Sequence, residues 1–421
     1  MMAQGTKNGV VAVVDVGSTH VACLVARVTP SADAQAPEIY VTGASHVKSE
    51  GVGAAGVTDL KAAEKAIRTA IDAAEQRAGV TLERVVVASN AGKPKARLIT
   101  TELELGGGAA SPREVRLLDA HARRSAGDEG SVLMHFIRRF YCGDDGERLE
   151  DPEGMRLSTL SADYCLVEAD QHAWANLSAC VEASHVKIAK RVVSPLAAAI
   201  ACLSSDEVHQ GVVCVDIGGS ATSYSVFEDG ALSDVGLIRI GSQHITSDIA
   251  MGLNITMEDA EHHKMLNGNA MAASDFVDEA DGDLLDSRPA GGGGRQISIR
   301  RGDLNMILRA RVDEILDMVE QKIGANAFGG RIRNIVLSGG GSRLHGLELL
   351  VQSRFGLPVR LGRPEVIRGM PEVLNGPTGC VLAGLLLVAA DAPQSKYAGM
   401  ASGAESGFWT RVGHWWSENF Y

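Results

Sequence analysis

The strongest constraint on how this chain can fold is an internal duplication. Residues 9–28, GVVAVVDVGSTHVACLVARV, consist of an apolar strand, an Asp-x-Gly turn and a second apolar strand. The stretch from residue 211, GVVCVDIGGSATSYSVFEDGAL, repeats the plan. Asp15 opens one half of the chain and Asp216 the other, which predicts two related α/β units.

The repeated residues carry a chemistry. A carboxylate at the end of a buried strand suits a hydrated Mg²⁺, and the glycine-rich backbone after it turns N–H groups onto phosphate oxygens. One Asp-x-Gly turn is an ordinary hairpin connection. Two copies, each heading a half, predict facing hairpins that clasp a triphosphate. A third piece is IVLSGGGSRLHGLELL (335–350), an apolar strand ending in Gly339, Gly340 and Gly341. A helix is expected from near Ser342, with its N-terminus adding partial positive charge. The stretch is no Walker loop, since no Gly-Lys-Ser/Thr follows. Nor is it a GxGxxG fingerprint, since Leu344 takes the last glycine position.

Helical periodicity follows in both halves. TDLKAAEKAIRTAIDAAEQ has apolar residues at 60, 63, 67, 71 and 74, with Thr58 as the expected N-cap. Ser111, Pro112 and Glu114 form an expected capping box. DLNMILRARVDEILDMVEQKI reads as a long amphipathic helix. RPAGGGGRQ (288–296) reads as a flexible loop, and residues 391–407 as a small, polar tether.

Composition narrows the function classes. A chain of 421 residues fits two to four domains. Its net charge of −12 argues against nucleic acid as a partner and against simple electrostatic docking to anionic lipid. The seven cysteines are odd in number and lack metal-site spacing, so they read as reduced core residues. The N-terminus lacks a signal-peptide pattern, and no run of 18 apolar residues predicts a membrane span.

The aromatic residues are distributed unevenly. Residues 408–421 hold Phe408, Trp409, Trp415, Trp416, Phe420 and Tyr421, a third of the chain's Phe, Trp and Tyr. As a helix, this segment aligns Phe408, Val412, Trp415, Trp416 and Phe420 on one face, opposite Thr410, Arg411, Ser417 and Glu418. That pattern predicts an interfacial membrane helix on a flexible tether.

Hairpin, hairpin and strand-Gly-Gly-Gly, in that order, resemble the actin-like ATPase superfamily. Within it the chain resembles the FtsA family of bacterial cell-division proteins, nearly end to end. GVTDL (56–60), SVLMHFIRRFY (131–141), TSDIAMGLNITMEDAEHHK (246–264) and the tethered tail also carry the likeness. The resemblance implies an α/β, actin-like two-lobed fold of duplicated ribonuclease-H-like domains, with an inserted subdomain 1C in place of 1B and a C-terminal amphipathic helix. Subdomain 1A would span 1–83 and 169–205, 1C 84–168, 2A 206–243 and 326–390, and 2B 244–325. The tether and the membrane helix would follow at 391–407 and 408–421.

The same resemblance implies ATP and Mg²⁺ as cofactors. Asp15 and Asp216 would hold the metal through water. Gly17, Ser18, Thr19 and His20, with Gly218, Gly219, Ser220 and Ala221, would cradle phosphates. Gly339, Gly340, Gly341 and Ser342, with Glu261 and Lys264, would contact the nucleoside. Implied partners are the FtsZ C-terminal peptide, other copies of the chain in filaments, later division proteins, and lipid at the cytoplasmic face of the inner membrane. Lipid contact would come through Phe408, Trp409, Val412, Trp415, Trp416 and Phe420. Arg300, Arg301, Arg309 and Arg311, at the start of the long helix, are candidates for the FtsZ contact.

One departure bears on catalysis. FtsA-like second loops often read Asp-x-Gly-Gly-Gly-Thr-x-Asp, and here the second acid is Ser223. The expectation is nucleotide binding with weak hydrolysis at most. Adjacent His262 and His263 point in different directions on a helix and read as one exposed and one half-buried residue. Two other readings share the superfamily: a PilM-like pilus-assembly protein and a sugar or acetate kinase. Neither has use for an aromatic tail.

Overall fold

The computed structural model describes residues 9–29, 37–127, 129–271, 283–291, 296–364 and 367–391. The two halves fold to the same sheet. In the first, the strand order is Glu38–Lys48, His20–Thr29, Val10–Val16, Arg84–Ser89, Lys187–Val193. In the second it is Ala231–Ile238, Thr222–Glu228, Val212–Ile217, Asn334–Ser338, Val359–Leu361. Each sheet is an antiparallel meander of three strands extended by two parallel ones. In both, the Asp-x-Gly strand is central, which explains the apolar runs: a strand covered on both faces has no polar alternation.

Two helices lie between the sheets. Every residue of Ser194–Cys202 is buried, and Cys380–Asp391 packs against it. One core joins Val13 and Leu24 of the first sheet to Val212 and Val336 of the second through Leu196, Ala198, Leu385 and Leu386. The helices approach to backbone contact. A Cβ on Gly384 would come within 1.8 Å of the Ala197 carbonyl oxygen.

Each half carries an inserted unit. Lys95–Glu104, Thr159–Asp170, Ser131–Cys142 and Arg148–Leu149 form a separate sheet with helix Pro112–Arg124 and a core around Leu118, Phe136, Leu160 and Tyr164. The expected boundary at residue 84 needs correction. Strand Arg84–Ser89 pairs in parallel with Val10–Val16 and belongs to the first sheet. In the second half, helices Ser242–Leu253, Met257–Leu266 and Arg301–Ile323 pack with hairpin Leu284–Ser287/Ile297–Arg300. Of the glycine-rich loop in that hairpin, residues 292–295 lie outside the described residues.

The local signals held with two adjustments. The capping box at Ser111 and Glu114 forms. Helix Leu60–Ala78 buries Ala63, Ile67, Ile71 and Ala74, but Leu60 is exposed and Asp59, not Thr58, is the N-cap. Asp59 accepts from the N–H groups of Lys61 at 3.0 Å and Ala62 at 3.1 Å. Its carboxylate also suits the positive end of the helix better than a hydroxyl does. Among the described residues no helix is long and apolar enough to cross a membrane. The described cysteines are free, and most are buried.

Candidate nucleotide site between the two hairpins

The tips of the duplicated hairpins meet. In each turn the glycine after the aspartate closes the loop: Gly17 N–H donates to His20 O at 3.1 Å, and Gly218 N–H to Ala221 O at 2.9 Å. The Ser220 N–H donates to Ser18 Oγ across the gap at 3.2 Å. A Cβ on Gly219 would lie 2.2 Å from Thr19 Cγ2. Only glycine lets the loops come this close.

The two carboxylates lie at the floor of this junction. Burial, then the nearby charge of Asp216, pushes Asp15 up to about 7. Asp15 keeps partial exposure at its surface, but protein surrounds it closely enough for desolvation to dominate. Burial raises Asp216 to about 6, and a hydrogen bond from Ser338 Oγ at 2.9 Å partly offsets the rise. Two neighbouring buried acids, with the charge of Asp216 acting on Asp15, present a pair of carboxylates whose ionised forms a cation would favour.

The Gly339–Gly341 turn packs on the strand end that carries Asp216. Gly339 has φ +81°, and a Cβ there would come 2.5 Å from Ile217 O and 2.8 Å from an Asp216 carboxylate oxygen. The expected helix at Ser342 does not form. Gly340–Arg343 is a single 3-10 turn, and the α-helix starts at Leu347 after Gly346 in the left-handed region. Ser342 instead donates its Oγ–H to Gly339 O at 2.7 Å, bracing the glycine turn. The glycines give close backbone approach here, without a helix dipole.

Helix Ser242–Leu253 supports the second loop from behind. The N–H groups of Ser242 and Gln243 donate to the carbonyls of Gly218 at 2.9 Å and Gly219 at 2.8 Å. The first turn of this helix therefore fixes the orientation of those peptide units. Lys264 and Glu261 stand behind the same helix and bind each other at 2.7 Å, and Lys264 also donates to Thr246 Oγ1 at 2.8 Å. His20 stacks on His46 with ring centroids 4.1 Å apart. Desolvation and then His46 hold His20 below its usual pKa, although its surface stays exposed. Sequence reading missed Ser338, Thr246 and the Ser242 helix start. Ser338, just before three glycines, carried the one available signal.

The arginine group needs correction. Arg309 pairs with Asp313 at 2.8 Å and donates to Ala270 O. Arg311 pairs with Asp248 at 2.5 Å and also with Glu314. Arg301 lies 3.5 Å from Asp283, and Arg300 is exposed. Residues two apart on a helix face different sides, so the four guanidiniums do not form one basic patch. His262 is exposed, and His263 is buried between Asn267 Oδ1 and Ser287 Oγ. Among the described residues no His/Cys/Asp/Glu cluster is arranged to hold a metal by itself. Residues 392–421, with Phe408, Trp409, Val412, Trp415, Trp416 and Phe420, lie outside the described residues.

The orphaned hydroxyls and the raised acids together fit a metal-bound polyphosphate. Ser220 Oγ and Ser223 Oγ are buried without a hydrogen-bond partner, and they stand in or beside the loop that carries Asp216.

Two matching sheets around a hairpin junction define the actin-like fold, and the comparisons agree. The structure is similar to the PilM–PilN type IV pilus biogenesis complex (TM-score 0.60, 16% identity, 90% of this chain and 98% of that one). It is also similar to MreB 5 of Spiroplasma citri bound to AMPPNP (TM-score 0.53, 12% identity, 94% and 100%). The sequence is 33% identical to the cell division protein FtsA of Rhizobium meliloti (strain 1021) over 98% of this chain and 96% of the relative. The family described as "Cell division protein FtsA" matches residues 213–384. The chain belongs to the FtsA family.

Proposed function

We propose that the chain binds Mg·ATP between its two hairpins and, in that state, assembles head to tail into filaments that tie FtsZ to the inner face of the membrane at the division site. The observation that carries the reading is the meeting of the duplicated hairpins over two acids of raised pKa. Asp15 and Asp216 would hold Mg²⁺. Backbone N–H groups around Ser18, Thr19 and Gly219 would face the phosphates, and the Gly339–Ser342 turn would take the nucleoside side. When bound, Mg²⁺ neutralises charge between the carboxylates and the phosphates. Support comes from the AMPPNP named with MreB 5, a protein of like fold.

Turnover is slow on this reading, because Ser223 offers no carboxylate to a water. The role is that of a scaffold. Head-to-tail contact between copies is a heterologous interaction that repeats into open filaments. The tail, residues 408–421, supplies the membrane contact. Among the four arginines, exposed Arg300 is the one left for an FtsZ peptide docking on region 244–325. The FtsA relatives support the division role, and other division proteins are further partners on the same ground.

Titration of the full chain with a fluorescent ATP derivative in Mg²⁺ tests the nucleotide reading. Saturable binding that is lost in Asp216→Ala is expected. Equal binding by that variant, or turnover faster than about one per second as in kinases, contradicts it.

A further inference from the structure

Ser223 sits directly across the strand pair from Asp216. Residues opposite each other in an antiparallel pair send their side chains to the same face. Ser223 is 0% exposed, and its Oγ has no hydrogen-bond partner. Ser225, two residues along on that face, is satisfied: its Oγ donates to Pro195 O at 3.2 Å. Ser338, on the neighbouring strand, is satisfied by Asp216 itself. Among these serines the unbonded hydroxyl is therefore the one opposite Asp216 and nearest the turn. A buried hydroxyl without a partner is costly, and folded chains meet such groups with an ordered water or a ligand.

We propose that Ser223 is a positioning residue whose hydroxyl anchors a water shared with the Asp216 carboxylate, and that this water belongs to the shell of the bound Mg²⁺–nucleotide complex. The inference rests on the nucleotide reading above and adds a residue to it. A serine hydroxyl donates to and accepts from a water but takes no proton from it near neutral pH. The water is held in place and is not activated, which suits a site that keeps its nucleotide. The satisfied serines do not share this role, because their hydroxyls are already committed to Pro195 and Asp216.

The test uses the full chain and three proteins: wild type, Ser223→Ala and Ser223→Thr, the last of which keeps the hydroxyl. Two readouts are needed. One is the thermal midpoint without nucleotide. The other is ATP affinity measured with Mg²⁺ and again with EDTA. Removing an unbonded hydroxyl leaves the nucleotide-free midpoint of Ser223→Ala unchanged or higher. Its affinity for ATP in Mg²⁺ falls about three- to tenfold, its affinity in EDTA matches wild type, and Ser223→Thr restores binding. Wild-type affinity in Ser223→Ala overturns the proposal. So does a loss of equal size with and without Mg²⁺, or a fall in the nucleotide-free midpoint that tracks the loss of binding, since either marks a merely structural serine. If wild type binds no ATP under any condition, the nucleotide reading itself fails and takes this inference with it.

Discussion

Two carboxylates set the behaviour of the site at the scale of single residues. The folded values of Asp15, about 7, and Asp216, about 6, lie above the ordinary carboxylate range. Between about pH 4 and 7 the folded chain thus binds more protons than the unfolded one, and these groups cost stability as pH rises through that window. Neutralising one should help the empty protein. Asp15→Asn is expected to stabilise the nucleotide-free chain at pH 7.5 by on the order of 1–3 kcal/mol, raising its thermal midpoint, while abolishing the stabilisation by Mg·ATP. Calorimetry with and without nucleotide checks both. Cation binding needs the ionised form, so Mg·ATP affinity should weaken as pH drops from 8 to 5.5, and a flat profile would contradict the paired-acid account. That the two carboxylates head matching strands was legible because the motif repeats. Their mutual coupling was not, since it depends on how far apart the halves stand.

Local pattern and three-dimensional setting part company at the scale of elements. The capping box at Ser111 is a short-range device and was read correctly. The helix expected at Ser342 was misplaced because Gly346 delays it, and a glycine-rich run does not say where regular hydrogen bonding begins. The arginine group looked like a patch because charges close in sequence were counted without the partners that other elements bring to them. Asp248 lies on helix Ser242–Leu253, 63 residues from Arg311 in sequence. Arg311→Glu should therefore lower the thermal midpoint, costing about 1–2 kcal/mol, whereas exposed Arg300→Glu should leave it unchanged. If FtsZ peptide affinity drops in Arg300→Glu alone, the contact is electrostatic and near that residue. The crossing of the two interlobe helices is a further element-scale device. Gly384→Val forces a side chain onto the Ala197 backbone and should cost about 3 kcal/mol in denaturant unfolding.

For the whole molecule, the duplication made the fold legible: matching hairpins predicted matching sheets, and both sheets have the same order. The boundary of the first insert was harder to place, since the strand Arg84–Ser89 belongs to the first sheet and only pairing reveals it. The tail expected at residues 408–421 lies outside the described residues. On the proposed function, an aromatic helix would gain about five or six interfacial contacts and lose the entropy of ordering its residues, so one tail would bind lipid weakly, in the ~10 µM to mM range. A filament presents many tails together, and linked sites gain orders of magnitude in avidity. On that proposal nucleotide, assembly and membrane attachment would be coupled. Cosedimentation of the full chain with liposomes tests that coupling most directly, using wild type, Asp216→Ala and the double variant Trp415→Glu with Trp416→Glu, each with and without Mg·ATP. Wild type should pellet with lipid in Mg·ATP and largely remain in solution without it, and both variants should stay in solution throughout. Wild-type pelleting by the double tryptophan variant, or pelleting by wild type that ignores nucleotide, would contradict the account.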